Sequence, residues 1–162
     1  CTTKSKAKPF KQPFQEKQQT QAISVKVLVD TSVWSQALRR PKQEIVPDTS
    51  SHVVQRLAAL IENGRIAMLG PIRQELLSGI KTQAQFESLK QILSAFPDEK
   101  LDAEDYEMAA NSFNACRQLG IQGSNTDFLI CAVSLAKKWP IFSLDKDFER
   151  YQKCLPLILF VN

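Results

Sequence analysis

Val25-Lys26-Val27-Leu28-Val29-Asp30 is the stretch from which the chain can be read outward. Its apolar, mostly β-branched residues suit a short buried strand, and the run ends abruptly on an acidic side chain. A short helix is expected next, from Ser32 to Leu38, broken by Pro41 and Pro47. Thr49, Ser50 or Ser51 can then cap a helix in which Val53, Val54, Leu57, Leu60 and Ile61 recur at helical spacing up to Asn63 and Gly64.

The same alternation continues to the end of the chain. Ile66 to Leu69 reads as a second strand closed by Gly70 and Pro71, and Pro71 suits the first turn of a helix carrying Ile72, Leu76 and Ile80 on one face. Glu75 stands at the edge of that face. A further helix around Phe86, Leu89 and Leu93 ends before Pro97, and Asp102 caps another in which Tyr106, Ala109, Phe113 and Cys116 line up. Gly120 and Gly123 open a loop. From Asn125 to Lys138 nearly every residue but Asp127 and Ser134 is apolar until the closing lysines, so this helix is expected at the centre of the fold. Ile141 to Leu144 forms a third strand stopping at Asp145, and Leu155 to Val161 a last one. Strands alternating with helices imply an α/β fold, a three-layer α/β/α sandwich around a mainly parallel sheet.

The 162 residues carry a formal net charge of +4, and its placement is uneven. Residues 1–24 hold Lys4, Lys6, Lys8, Lys11 and Lys17 against Glu16 alone, while the remainder balances. Residues 1–24 therefore read as a basic leader, disordered or extended, and residues 25–162 as one domain. The leader is either a solvated tail or an arm for a polyanion, with Phe10 and Phe14 placed to stack on bases. No apolar run is long enough for a membrane span, and the first residues lack a signal pattern; Cys1 alone is thin support for a lipid anchor. Cys1, Cys116, Cys131 and Cys154 form no CxxC pair and His52 is the single histidine, which argues against structural zinc. Cys116 and Cys131 fall on apolar helix faces as small hydrophobes, from which a reducing, cytoplasmic compartment is inferred.

In an open parallel sheet, ligands bind beyond the carboxyl ends of the strands. Asp30 and Asp145 each stand where a strand ends, Asp127 lies in the first turn of the central helix, and Glu75 lies about a turn into the helix after the second strand. Like charges at about 4 Å repel by on the order of 4 kcal/mol at an effective dielectric near 20. Lys146 is the one basic neighbour in sequence, so oxygen-only donors point to Mg²⁺ or Mn²⁺ as counter-charge. Such ions suit phosphodiester cleavage. Each acid also has a plainer explanation: Asp127 complements a helix dipole, Glu75 reaches water, Asp30 caps the helix begun by Thr31 and Ser32, and Asp145 with Lys146 and Asp147 makes a turn. Their joint order along one rim outweighs these readings.

The segments VLVDTSVW (27–34), PIRQELLSGI (71–80), NTDFLICAVSLAKK (125–138) and IFSLDKDFERY (141–151) resemble the PIN-domain family, and within it the VapC-type toxins of toxin-antitoxin pairs. The resemblance implies a metal-dependent endoribonuclease with Asp30, Glu75, Asp127 and Asp145 as metal ligands. It places supporting hydroxyls at Ser32 and Ser143, and leaves Asp147 either as an aid to a second ion or, preferably, as the cap of a short helix. It further implies cleavage of single-stranded or looped RNA, such as tRNA or ribosomal RNA, inhibition by a cognate antitoxin lying in the groove, and a homodimer. The lysine-rich leader is longer than a compact VapC toxin needs, and the stretch from Pro41 to Ser51 is uninformative.

Two alternatives stay open at this level. One is a catalytically silent PIN-like module that binds RNA or protein; the other is a PIN nuclease of RNA processing unrelated to toxins. A phosphatase using Asp30 as nucleophile is disfavoured, since such enzymes want a second aspartate two residues on and Ser32 stands there.

Overall fold

The computed structural model describes residues 24–38 and 48–160, with side chains from residue 52 onward in the second segment. Nearly all of the basic leader, Pro41, Pro47 and Val161 lie outside the described residues. Strand β1 (Val27–Val29) is wholly buried and central, flanked by β2 (Ile66–Ala67) and β3 (Ile141–Phe142) in the order β2-β1-β3. Both pairings are parallel, with Val27 opposite Ile66, Leu28 opposite both Ala67 and Ile141, and Val29 opposite Phe142. Parallel neighbours require crossovers, and helices supply them.

Helices α1 (Thr31–Leu38), α2 (Asp48–Glu62), α3 (Gly70–Leu77) and α4 (Gln83–Leu93) make one contacting group, α1 touching α2 and α3, and α3 touching α4. Helix α5 (Ala103–Gln118) packs along α6 (Asn125–Lys137), which touches β3; a short α7 (Asp147–Tyr151) follows. The three-layer α/β/α arrangement around a parallel sheet is the one the alternation implied. Helix α6 is its apolar centre, buried without interruption from Phe128 to Ser134.

Several boundaries differ from the sequence reading. Helix α2 begins at Asp48, so Thr49, Ser50 and Ser51 fall inside its first turn. Strand β2 ends at Ala67, beyond which Met68 makes only a single parallel bridge to Asp98. Helix α3 stops at Leu77, before Ile80, because Gly79 turns with φ +79. The last strand is reduced to one bridge between Leu159 and Ile141. Pro156 removes a donor there, and β3 is only two residues long, so a longer ladder has nothing to pair with. Tyr106, placed on the apolar face of α5 by its spacing, is 53% exposed and lines a surface pocket with Phe113 and Phe128.

The cysteines bring a larger correction. Cys116, near the end of α5, is joined by a disulfide to Cys154, beyond α7, while Cys131 remains a free, buried thiol. Reading Cys116 as a free small hydrophobe therefore fails, and with it goes the ground for inferring a reducing compartment. A separation of 38 residues was beyond any local spacing rule and became a bond because the fold brings the end of α5 beside the segment that follows α7. Among the described residues no helix is long and apolar enough to cross a membrane.

In the chain-entropy view, closing a loop of this size constrains the unfolded chain by roughly 4 kcal/mol. Dithiothreitol should therefore lower the thermal midpoint of the wild-type protein by several degrees and leave that of a Cys116→Ala/Cys154→Ala variant unmoved. Equal responses of the two proteins would show that the cross-link contributes nothing.

Candidate active site

At the carboxyl end of β1 the backbone leaves the sheet at Asp30, whose carbonyl receives the Val33 and Trp34 amides and so starts α1. The Asp30 side chain is 6% exposed, and a carboxylate buried so far needs hydrogen bonds. Its Oδ2 accepts the Ser32 hydroxyl at 2.6 Å, the Ser143 hydroxyl at 2.8 Å and the Ser32 amide at 3.3 Å. Ser32 Oγ also accepts the Leu144 amide at 3.0 Å, and Ser143 Oγ accepts the Asp145 amide at 3.0 Å. The two serines thus join the end of β1 to the turn after β3, with Asp30 between them. Its helix-capping role and its place at the rim coexist.

The other acids are held around this clasp. Glu75 on α3 accepts the Thr31 hydroxyl at 2.7 Å, which ties it to the residue next to Asp30. Asp127 is the third residue of α6 and part of a capping box: the Asp127 amide donates to Ser124 Oγ, and the Ser124 amide donates to Asp127 Oδ2 at 3.1 Å. The same Oδ2 accepts the Tyr151 hydroxyl at 3.0 Å. Asp145 Oδ1 accepts the Asp147 amide at 2.9 Å, a turn bond. Asp147 does not cap α7 as preferred from the sequence. It is the first residue of that helix, its amide donates to Asp145 Oδ1, and its carboxylate pairs with Arg150.

Burial pushes the Asp127 carboxyl above its ordinary value, and the negative charge of Asp30 adds to that push; the bonds from Ser124 and Tyr151 oppose it. Asp30 and Asp127 therefore feel one another across the rim. Burial, followed by the charge of Asp127, also holds the Cys131 thiol protonated.

By kind, the donors fit a hard divalent ion: every one is oxygen, and among the described residues no ion pair reaches Asp30, Glu75, Asp127 or Asp145. By placement they are linked through Thr31, Ser143 and mutual charge. Among the described residues, no three acidic, histidine or cysteine side chains are gathered closely enough to hold one ion together.

Two hollows flank the rim. A groove of about 720 Å³ starts at Thr31 and Glu75 and runs past Ser35, Leu38, Lys81 and Ile92. A smaller one of about 440 Å³ lies between α5 and the start of α6, beside Tyr106, Asn114, Asn125 and Phe128.

The profile of the PIN domain covers residues 27–153, which include all four acids. The chain belongs to the PIN-domain family. Within that family it is similar to ribonuclease VapC11 of Mycobacterium tuberculosis and to VapC ribonuclease Mb1587 of Mycobacterium bovis. Each is 31% identical over 125 residues, 76% of this chain and 89% of the relative. Two crystal structures share the fold of this PIN domain. One is VapBC2 from Rickettsia felis bound to a DNA fragment from its promoter (TM-score 0.62, 23% identity, 82% of this chain and 96% of that one). The other is FitAcB from Neisseria gonorrhoeae (TM-score 0.64, 19% identity, 83% and 96%).

Sequence reasoning had given no site role to Thr31 or Tyr151, and had read Gly123 only as opening a loop. The capping box had a visible signal in the spacing Ser124-Asn125-Thr126-Asp127, whereas the bond from Tyr151 crosses between α7 and α6 and has none.

The raised pKa of Asp127 gives a test in metal-free buffer. A raised carboxyl favours the folded state when protonated, a contribution present at low pH and lost as pH rises through the folded-state value. Asp127→Asn keeps an acceptor for Ser124 and Tyr151 without the charge. Its thermal midpoint should match or exceed that of wild type at pH 7.5, with the advantage vanishing toward pH 4. A variant clearly less stable than wild type at neutral pH would contradict this account.

Proposed function

We propose that this PIN domain is a divalent-metal-dependent endoribonuclease of the toxin type, hydrolysing RNA phosphodiester bonds at the rim formed by Asp30, Glu75, Asp127 and Asp145. The observation that carries the reading is the buried Asp30 carboxylate at the end of the central strand, held by two serines and neighboured by other acids without a cationic partner among the described residues. Mg²⁺ or Mn²⁺, when bound to these carboxylates, supplies positive charge for the scissile phosphate and makes water a better nucleophile. Ser32 and Ser143 orient Asp30, Thr31 orients Glu75, and Asp145 orders the turn that leads to Asp147. Similarity to the VapC ribonucleases supports RNA as the substrate, with tRNA or ribosomal RNA the expected class.

The partner follows the same logic. The VapBC2 assembly shares this fold, and the groove past Leu38 and Ile92 begins at Glu75. An antitoxin segment laid in that groove would cover one of the four acids, which is how a cognate antitoxin would inhibit the enzyme. A homodimer completes the proposal.

A second reading has one observation in its favour: no three of the acids are gathered to hold an ion among the described residues. On that reading the domain binds RNA or a protein without cutting. Asp30→Asn separates the two. In the first reading it lowers Mg²⁺-stimulated RNA cleavage by at least about a hundredfold while the thermal unfolding curve stays that of a folded protein. Undiminished cleavage by the variant would remove the nuclease assignment to this rim, and a wild-type protein that binds RNA without metal-stimulated turnover would establish the second reading.

A further inference from the structure

The ring of Tyr151 is fully buried, and its environment is specific at every side. Phe128 stands 4.9 Å from it and Phe148 5.4 Å, centroid to centroid. Its carbonyl receives the Cys154 amide at 3.0 Å and the Leu155 amide at 2.8 Å, and the disulfide from Cys154 ties this segment to α5. At Gly123 the chain passes so close that a Cβ would lie 2.0 Å from the Tyr151 hydroxyl oxygen and 2.7 Å from Cζ. Any side chain at 123 would force the ring aside.

A phenylalanine would fill the same volume and keep the same ring contacts. What tyrosine adds is one buried hydroxyl, costly unless it finds a partner, and its partner is Asp127 Oδ2. That oxygen already accepts the Ser124 amide of the capping box. Two donors arriving on one oxygen from different elements hold the Asp127 side chain in one rotamer. Both of these bonds fall on Oδ2, so Oδ1 is the oxygen that faces a ligand on this reading.

We propose that Tyr151 is a positioning residue of the active site: through its hydroxyl, seated against Gly123, it holds the Asp127 carboxylate in the single orientation that the rim uses. The assignment rests on reading that rim as a nuclease site. It also gives Gly123 a purpose beyond opening a loop.

The test uses the full chain with its disulfide intact. Tyr151→Phe should lower kcat for RNA cleavage by about tenfold to a hundredfold. The KM for RNA should stay within about twofold, since substrate binding elsewhere is untouched. Gly123→Ala, which displaces the ring from the other side, should reproduce the kcat loss with every acid in place. A second readout needs no activity: the Hα–Hβ scalar couplings of Asp127 should report one rotamer in wild type and averaged rotamers in Tyr151→Phe. An unaltered Asp127 rotamer in Tyr151→Phe overturns the assignment, as does an unchanged kcat in an active enzyme. If wild type cuts no RNA, the nuclease reading falls, and the couplings alone decide whether Tyr151 positions Asp127.

Discussion

The structure turns on one buried carboxylate. Asp30 stands at the end of the innermost strand, where an ionised group is expensive unless hydrogen bonds replace the water it has lost. Ser32 and Ser143 supply them, and because one serine belongs to α1 and the other follows β3, satisfying the charge also joins two separate parts of the chain. The serines are further occupied by the Leu144 and Asp145 amides, so the turn after β3 is held by the same group of atoms. The rim of the sheet is thus a connected hydrogen-bond network, and Asp30 is its centre.

Around this centre the fold trades stability for a concentration of negative charge. Asp127 shows the exchange most directly: burial and the neighbouring Asp30 disfavour its ionised form, while the capping box and the Tyr151 hydroxyl partly offset them. An ordinary helix start would gain from an acidic residue in its first turn without such opposition. Here the helix dipole, the capping box and a buried tyrosine all act on one side chain, which is the pattern of a site whose geometry is held by its surroundings.

The large outlines were legible in the residues. The run from Val25 to Asp30, the pattern of Val53, Leu57 and Leu60, and the nearly unbroken apolar stretch after Asp127 each place an element correctly, because burial imposes a period on sequence. The short strands were harder. Ile66 to Leu69 and Leu155 to Val161 are apolar enough for strands, yet β2 has two residues and the last segment one bridge, since ladder length depends on what the neighbouring strand offers. The capping box of α6 was readable from Ser124 and Asp127 at their spacing. The disulfide between Cys116 and Cys154 was not, and reading Cys116 as a lone apolar thiol led to an unsupported compartment.

By itself, then, the sequence determined the alternation of strands and helices and the central helix, since each of these is written in local periodicity and residue type. Tertiary structure alone decided which hydroxyls reach which carboxylates. Thr31 with Glu75, Ser143 with Asp30 and Tyr151 with Asp127 are joined across 44, 113 and 24 residues. The reason is physical: a hydrogen bond requires its partners within a few tenths of an ångström of contact distance, and positions that fine are set by how whole elements pack.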